Sequence, residues 1–467
     1  MTSTASTSAE PGYRVLNPAT GEVVETFPTA TDAEIESAIA SATEAYASWR
    51  ETPIEDRAKV VSRIAELFTE RADELAAIIT TEMGKPLSQS KGEAEFCTDI
   101  FKYFAEEGPA LAADQEIRTF SGGRAVVQKL PIGPLLGIMP WNYPYYQVAR
   151  FAAPNLMLGN TIILKHAESC PRSALAIQQI MDDAGVPRGA YVNVFASHQQ
   201  IADIIADPRV QGVSLTGSER AGAIIGELAG KNLKKAVLEL GGSDPFVVLD
   251  AADPKALADT AWDTRMENTG QACNSNKRMI VAEDVFDDFV AQLTARAQSL
   301  KPGNPAEDAD GTFAPLSSRA AAEGLAAQVQ DALDKGATLH AGGVLSEGDG
   351  AYYSPAVLTG VTAEMRAYKE ELFGPVAVVY KVSSDEEALR LANDTPYGLG
   401  GAVFSEDTAR AEKVAQRLEV GMANVNTPAA EGAEVPFGGV KRSGFGRELG
   451  PLGMDEFVNK RMYFVAD

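Results

Sequence analysis

The chain reads as an α/β protein built on a doubly wound parallel sheet, and two observations predict it. Short apolar runs recur at residues 135–139, 161–165, 191–195, 213–216, 236–240 and 246–250, with helical stretches such as 173–183 and 220–229 between them. The alternation resumes after residue 270, with runs at 279–281, 376–382, 402–404 and 422–426 and helices at 285–300, 320–335 and 408–418. Strands that alternate with helices form parallel βαβ units. A length of 467 residues suits two large units or three smaller ones, at about 150 residues per domain.

The elements follow in order. The opening MTSTASTSAEPGY is polar, with no basic or apolar leader region, and reads as a short disordered arm rather than a signal peptide. Ile35, Ile39, Ala42, Tyr46 and Trp49 share one helical face behind the capping pair Thr31-Asp32. A second helix spans 54–83, with Val61, Ile64, Phe68, Leu75 and Ile79 on one face, and Gly84 and Pro86 end it. Residues 118–128, RTFSGGRAVVQ, lie outside the alternation and predict a hairpin around Gly122-Gly123; the strand 461–465 could pair with it. Residues 130–149 carry no charge, but Pro131, Pro134, Pro140 and Pro144 would break a spanning helix, so a buried core is expected. The glycine-rich stretch 342–350 reads as a surface loop.

Charge and rare residues exclude several functions. Lys and Arg number 41 against 65 Asp and Glu, a net charge of −24. Such a field repels phosphate, so nucleic acid and anionic membrane are not expected partners. An anionic ligand must be held by a local device, such as a helix N-terminus or a placed cation. Three scattered cysteines (Cys97, Cys170, Cys273) make no disulfide framework and suit a reducing cytoplasm. Three distant histidines (His166, His198, His340) form no zinc motif, so no metal site is expected.

Three segments could carry chemistry. In Met139-Pro140-Trp141-Asn142-Tyr143-Pro144, two prolines fix the backbone around an Asn whose amide can donate to an oxyanion. The bland alternative is a Pro-rich turn. In Leu238-Glu239-Leu240-Gly241-Gly242, a carboxylate sits among apolar residues at a strand's carboxyl end, where burial would raise its pKa and suit it to general-base work. The alternative is an exposed Glu at a loop start. In Asn268-Thr269-Gly270-Gln271-Ala272-Cys273, the thiol lies in a polar loop and is the candidate nucleophile. Cys97, inside an aromatic-rich helix, and Cys170, at a helix start, read as buried and inert.

Together these residues resemble the aldehyde dehydrogenase superfamily. The likeness runs from Asn17-Pro18-Ala19-Thr20-Gly21 to Phe437-Gly438-Gly439-Val440-Lys441-Arg442-Ser443-Gly444, through Lys165, Thr216-Gly217-Ser218, Glu371-Leu372-Phe373-Gly374-Pro375 and Pro396-Tyr397-Gly398-Leu399. The resemblance implies that Cys273 attacks an aldehyde carbon. Asn142 and the Cys273 N–H then hold the oxyanion, hydride leaves to a nicotinamide, and Glu239 activates water to release the acid. It implies a Rossmann-type cofactor unit at 1–117 and 132–240, and a catalytic unit at 241–457. An oligomerisation flap at 118–131 and 458–467 would build a homodimer or homotetramer by pairing strand edges.

The cofactor residues implied are Met139, Pro140, Trp141, Lys165, Glu168, Gly217, Ser218, Ala221, Leu240, Glu371 and Phe373. Gly217 and Ser218 open a helix that can seat a pyrophosphate without help from net charge. Glu168 resembles an acid that binds ribose hydroxyls and would repel a 2′-phosphate, so NAD is expected ahead of NADP. Residues 195–198, Phe-Ala-Ser-His, depart from a Gly-rich turn common in the family.

The branch most resembled is the succinate-semialdehyde dehydrogenase-like group. Arg150 is similar to an arginine that binds a substrate carboxylate in some members; otherwise it makes a structural ion pair. Glu267 and Glu431 stand where carboxylate-binding residues are found in some members, which leaves an aminoaldehyde or general aliphatic aldehyde as the alternative. Outside the family, a Cys-dependent hydrolase would need a His base that this chain hardly offers.

Overall fold

The computed structural model describes residues 12–120 and 122–467. The expected N-terminal arm, up to residue 11, and Ser121 of the expected hairpin lie outside the described residues. Two parallel sheets carry the structure, each covered by helices, as the alternation predicts.

The first sheet contains β1 (Pro134–Met139), β2 (Thr161–His166), β3 (Tyr191–Asn193), β4 (Gly212–Thr216) and β5 (Lys235–Glu239). Its order is β5-β4-β1-β2-β3, all parallel. Every residue of β1 and β2 is buried, because a parallel sheet is covered on both faces. The chain runs β1-β2-β3 one way, then returns to set β4 on the other side of β1. Such a switch opens a crevice at the strands' carboxyl ends, where ligands bind in open α/β sheets. A short strand, Gly444–Phe445, closes the edge antiparallel to β5, pairing Gly444 with Glu239. Only glycine fits there: its φ is +106°, and a Cβ would lie 1.9 Å from the Leu238 carbonyl oxygen.

The second sheet contains β6 (Pro245–Val248), β7 (Arg278–Ala282), β8 (Thr338–Ala341), β9 (Ala356–Thr359), β10 (Val376–Val382), β11 (Gly400–Phe404) and β12 (Met422–Val425). Its order is β8-β9-β10-β7-β6-β11-β12, parallel except for β8 against β9. The sequence pattern does not single out β8 and β9, which have four residues each: β8 is a partly exposed edge strand, and the apolar run of β9 is only Ala356-Val357-Leu358.

The expected helix over 54–83 is two helices, Ile54–Glu70 and Ala72–Met83. No Gly or Pro announces the break. Arg71 takes φ −111°, ψ 13° and reaches across to pair with Asp183, a tertiary contact outside the helical pattern. The first helix, Asp32–Trp49, begins as expected: Thr31 caps it in a reciprocal box with Glu34. Arg124–Pro131 pairs antiparallel with Gln115–Ile117 on one side and Val458–Val465 on the other. Among the described residues no helix is long and apolar enough to cross a membrane.

Candidate active site

Cys273 lies in the loop between the 3-10 turn Glu267–Gly270 and β7. Asn268 and Thr269 take positive φ angles of 48° and 54°, and Arg265 holds that turn. The guanidinium is fully buried and donates to the carbonyls of Val376, Gly270, Leu372 and Gly374 and to Ser275 Oγ, at 2.6–3.1 Å. It joins the Cys273 loop to the loop that carries Phe373. Sequence reading passed over Arg265, because a lone Arg at a helix end has no local signature.

The thiol is half-buried and lines a cavity of about 690 Å³. Burial pushes it up to about 11, although Arg150 and Lys277 pull it down. Cys97 and Cys170 are fully buried, as expected of inert thiols.

Asn142 follows β1 and is 4% exposed. Its Oδ1 accepts from Gln147 Nε2 at 2.9 Å, which turns Nδ2 toward the Cys273 loop, where it donates to the Gln271 carbonyl at 3.0 Å. Asn268 Nδ2 donates back to the Asn142 carbonyl at 2.9 Å. These bonds bring the Asn142 segment against the residues just before Cys273. Gln147, five residues after Asn142, is a functional neighbour that the sequence reading missed.

Glu239 ends β5 at 2% exposure, so the exposed alternative is excluded. Neither carboxylate oxygen has a hydrogen-bond partner among the described residues. Burial pushes its pKa well above the usual carboxylate range; Arg150 pulls against this and Glu448 adds to it. Three residues on, Gly242 abuts Cys273, since a Cβ there would lie 2.5 Å from the Cys273 carbonyl oxygen. The three segments singled out in sequence therefore meet.

Arg150 is 1% exposed on the helix Tyr146–Leu158 and also lines the cavity. Its guanidinium forms an ion pair with buried Glu448, donates to Thr216 Oγ1 at 3.1 Å and lies over the rings of Phe437 and Tyr146. Glu448 Oε1 accepts from Ser214 Oγ at 3.2 Å. Arg150 thus has a structural ion pair and a place on the cavity wall at once. Glu448 belongs to the motif SGFGREL, but nothing local to that motif announces its partner.

The mouth of the cavity is acidic. Glu267 Oε1 accepts from Tyr143 Oη at 2.9 Å, and Glu431 is pushed up by burial and by Glu267. Below it, Glu93 accepts from the Tyr145 and Tyr146 N–H groups and pairs with buried Lys85, whose ammonium lies 3.7 Å from the Tyr143 ring centre.

Most of the residues expected to bind the cofactor gather at the carboxyl edge of the first sheet. Met139, Pro140 and Trp141 end β1, Lys165 and Glu168 lie at the end of β2, Gly217 and Ser218 follow β4, and Leu240 follows β5. Ser218 caps the helix Glu219–Lys231 through the Ala221 N–H, and a helix N-terminus of this kind favours an anion such as a pyrophosphate. Glu371 Oε1 accepts from the Gly242 N–H at 3.1 Å, and Phe373 meets Trp141 edge-on at 5.7 Å. These groups fit a nicotinamide dinucleotide: a helix N-terminus at the switch point, a carboxylate and a pair of aromatic rings. Glu168 is not a free anion, because Lys165 pairs with it.

Residues 4–463 match the aldehyde dehydrogenase family. A succinate-semialdehyde dehydrogenase, NADP(+), of Deinococcus radiodurans is 54% identical over 464 residues, 99% of this chain and 97% of the relative. One from Mycobacterium tuberculosis is 41% identical over 97% of this chain and 99% of its own. The crystal structure of succinic semialdehyde dehydrogenase from Streptococcus pyogenes in complex with NADP+ is similar at a TM-score of 0.94 and 41% identity, covering 97% of this chain and 100% of that one.

Proposed function

The chain belongs to the aldehyde dehydrogenase family, and on that premise we propose that it oxidises succinate semialdehyde to succinate with NADP. The observation that carries this reading is the 54% identity, over nearly the whole of both chains, to a relative named for that reaction and that cofactor. NADP replaces the expectation of NAD drawn from Glu168. The Lys165–Glu168 pair supports the change, since the neutralised acid repels a 2′-phosphate less.

In this reading Cys273 Sγ loses its proton to solvent and attacks the aldehyde carbon as the thiolate, while Glu239, with its raised pKa, is kept for the later proton transfer from water. Asn142 Nδ2 and the Cys273 N–H hold the developing oxyanion. When bound, the nicotinamide ring supplies the hydride acceptor, which leaves a thioester on Cys273. Met139, Trp141, Leu240 and Phe373 would wall the ring side, Glu371 would take its ribose, and Gly217, Ser218 and Ala221 the phosphates. Glu239 then removes a proton from the water that attacks the thioester, releasing acid and thiol. Arg150 takes the distal carboxylate at the cavity wall.

A panel of aldehydes scored by kcat/KM at 340 nm, with NADP and NAD in parallel, tests the proposal. Succinate semialdehyde with NADP should lead it; a protonated aminoaldehyde in first place would support the second reading. The acids Glu267 and Glu431 at the mouth favour that alternative.

We assign cofactor binding to residues 1–117 and 132–240, catalysis to 241–457 and assembly to 118–131 and 458–467. The outer strand exposes Met462, Tyr463, Phe464 and Val465, an apolar edge suited to pairing with a second copy. Light scattering should give a dimer or tetramer. Three free cysteines suit a cytoplasmic location.

A further inference from the structure

We propose that Lys277 is a positioning residue. One buried ammonium fixes the main chain that carries Cys273 and also the carboxylate of Glu371, so nucleophile and cofactor ribose are set from a common point. The inference rests on the reading of Cys273 as nucleophile and Glu371 as a ribose contact, and is independent of which aldehyde is oxidised.

Lys277 precedes β7 and is 1% exposed. Its Nζ donates to the carbonyls of Ala272 and Cys273, both at 2.8 Å, and lies 3.2 Å from Glu371 Oε1. An ammonium has three donors, and these partners use all three. The Ser275 carbonyl, at 3.5 Å, is a weaker fourth neighbour. The contacts close a ring: Glu371 Oε1 also takes the Gly242 N–H, and Gly242 is pressed against the Cys273 carbonyl. The Ala272 carbonyl has one further, long contact, from the Ser275 N–H at 3.4 Å, so it is chiefly the Cys273 carbonyl that depends on the ammonium for a donor. A buried lysine is tolerated only when so paired.

The arrangement does more than hold the chain, because the cation sits beside the thiol. Charges reach Cys273 from four elements: Arg150 on the helix Tyr146–Leu158, Lys277 before β7, Glu371 on the loop before β10, and Asp244 just before β6. The tyrosines Tyr143 and Tyr146 also face it. The two cations favour the thiolate and the two acids oppose it. Lys277 and Glu371 therefore act on the sulfur in opposite directions while gripping each other. A purely structural strut would not produce that opposition.

The test is the rate of iodoacetamide alkylation of Cys273 against pH in the cofactor-free enzyme, read by peptide mass so that Cys97 and Cys170 do not interfere. Lys277→Met should slow alkylation at pH 8 by roughly tenfold, equivalent to about one pKa unit. Lys277→Arg should restore it to within roughly threefold, and Glu371→Gln should accelerate it. A Lys277→Met profile that superimposes on the parent's, or a change in the same direction for Lys277→Met and Glu371→Gln, overturns the proposal. Should Lys277→Met fail to fold, an unchanged rate in Glu371→Gln overturns it alone. A Cys273→Ala variant with full dehydrogenase activity would instead remove the nucleophile reading beneath it.

Discussion

Arg150 and Glu448 form a buried ion pair at the edge of the cavity, with side chains 1% and 5% exposed, and the unpartnered carboxylate of Glu239 lies within reach of both charges. Burial opposes the guanidinium's charge, and Glu448, with Tyr146, Glu239 and Cys273 behind it, more than restores it. A pair so placed acts on the field in which Glu239 and the thiol titrate.

Arg150→Met should therefore act on stability and pH dependence together. Leaving Glu448 uncompensated should cost about 3–5 kcal/mol, read by urea denaturation. Arg150 lowers the Glu239 pKa, so its loss should raise it and move the acid limb of kcat to higher pH. An unmoved limb would separate Arg150 from the base. If KM for succinate semialdehyde is also unchanged in Arg150→Lys, the arginine does not bind the substrate carboxylate.

Glu239→Gln should separate the two halves of the reaction. Turnover to the acid should fall by roughly 10²–10⁴, the usual worth of a general base. A stopped-flow burst of reduced cofactor should survive at up to one equivalent. A variant with unimpaired steady-state turnover would assign the water-activating role elsewhere.

Asn142→Ala should lower kcat by about 10²–10³, as expected for one oxyanion donor. Gln147→Leu should cost less, about 1 kcal/mol of transition-state binding, because it removes only the bond that orients the amide. Equal losses in the two variants would contradict this order.

Cofactor choice should respond to Glu168. Glu168→Gln frees Lys165 and removes a negative charge near the 2′ position, so the ratio of kcat/KM for NADP to that for NAD should rise by roughly fivefold, from about 1 kcal/mol. Lys165→Met should lower it. A ratio unchanged in both would move the selecting contact away from this pair.

The thiol of the cofactor-free enzyme, held up to about 11, should alkylate about tenfold faster per pH unit between pH 7 and 10. A plateau near neutrality would mean that the cations around it outweigh its burial.

The chain order of apolar runs and helices determined the α/β class, because a parallel sheet covered on both faces needs strands that are apolar throughout. Local chemistry likewise picked out Asn142, Glu239 and Cys273, since prolines, a strand end and a polar loop each leave a mark within a few residues. What only the tertiary structure decided depends on contacts distant in sequence. The break at Arg71 coincides with a contact to Asp183, and short β8 and β9 are legible only beside β10. Arg150 meets Glu448 across 298 residues of chain, and Lys277 meets Glu371 across 94. A charged side chain's partner is set by where the sheets bring the backbone, and no local pattern encodes it.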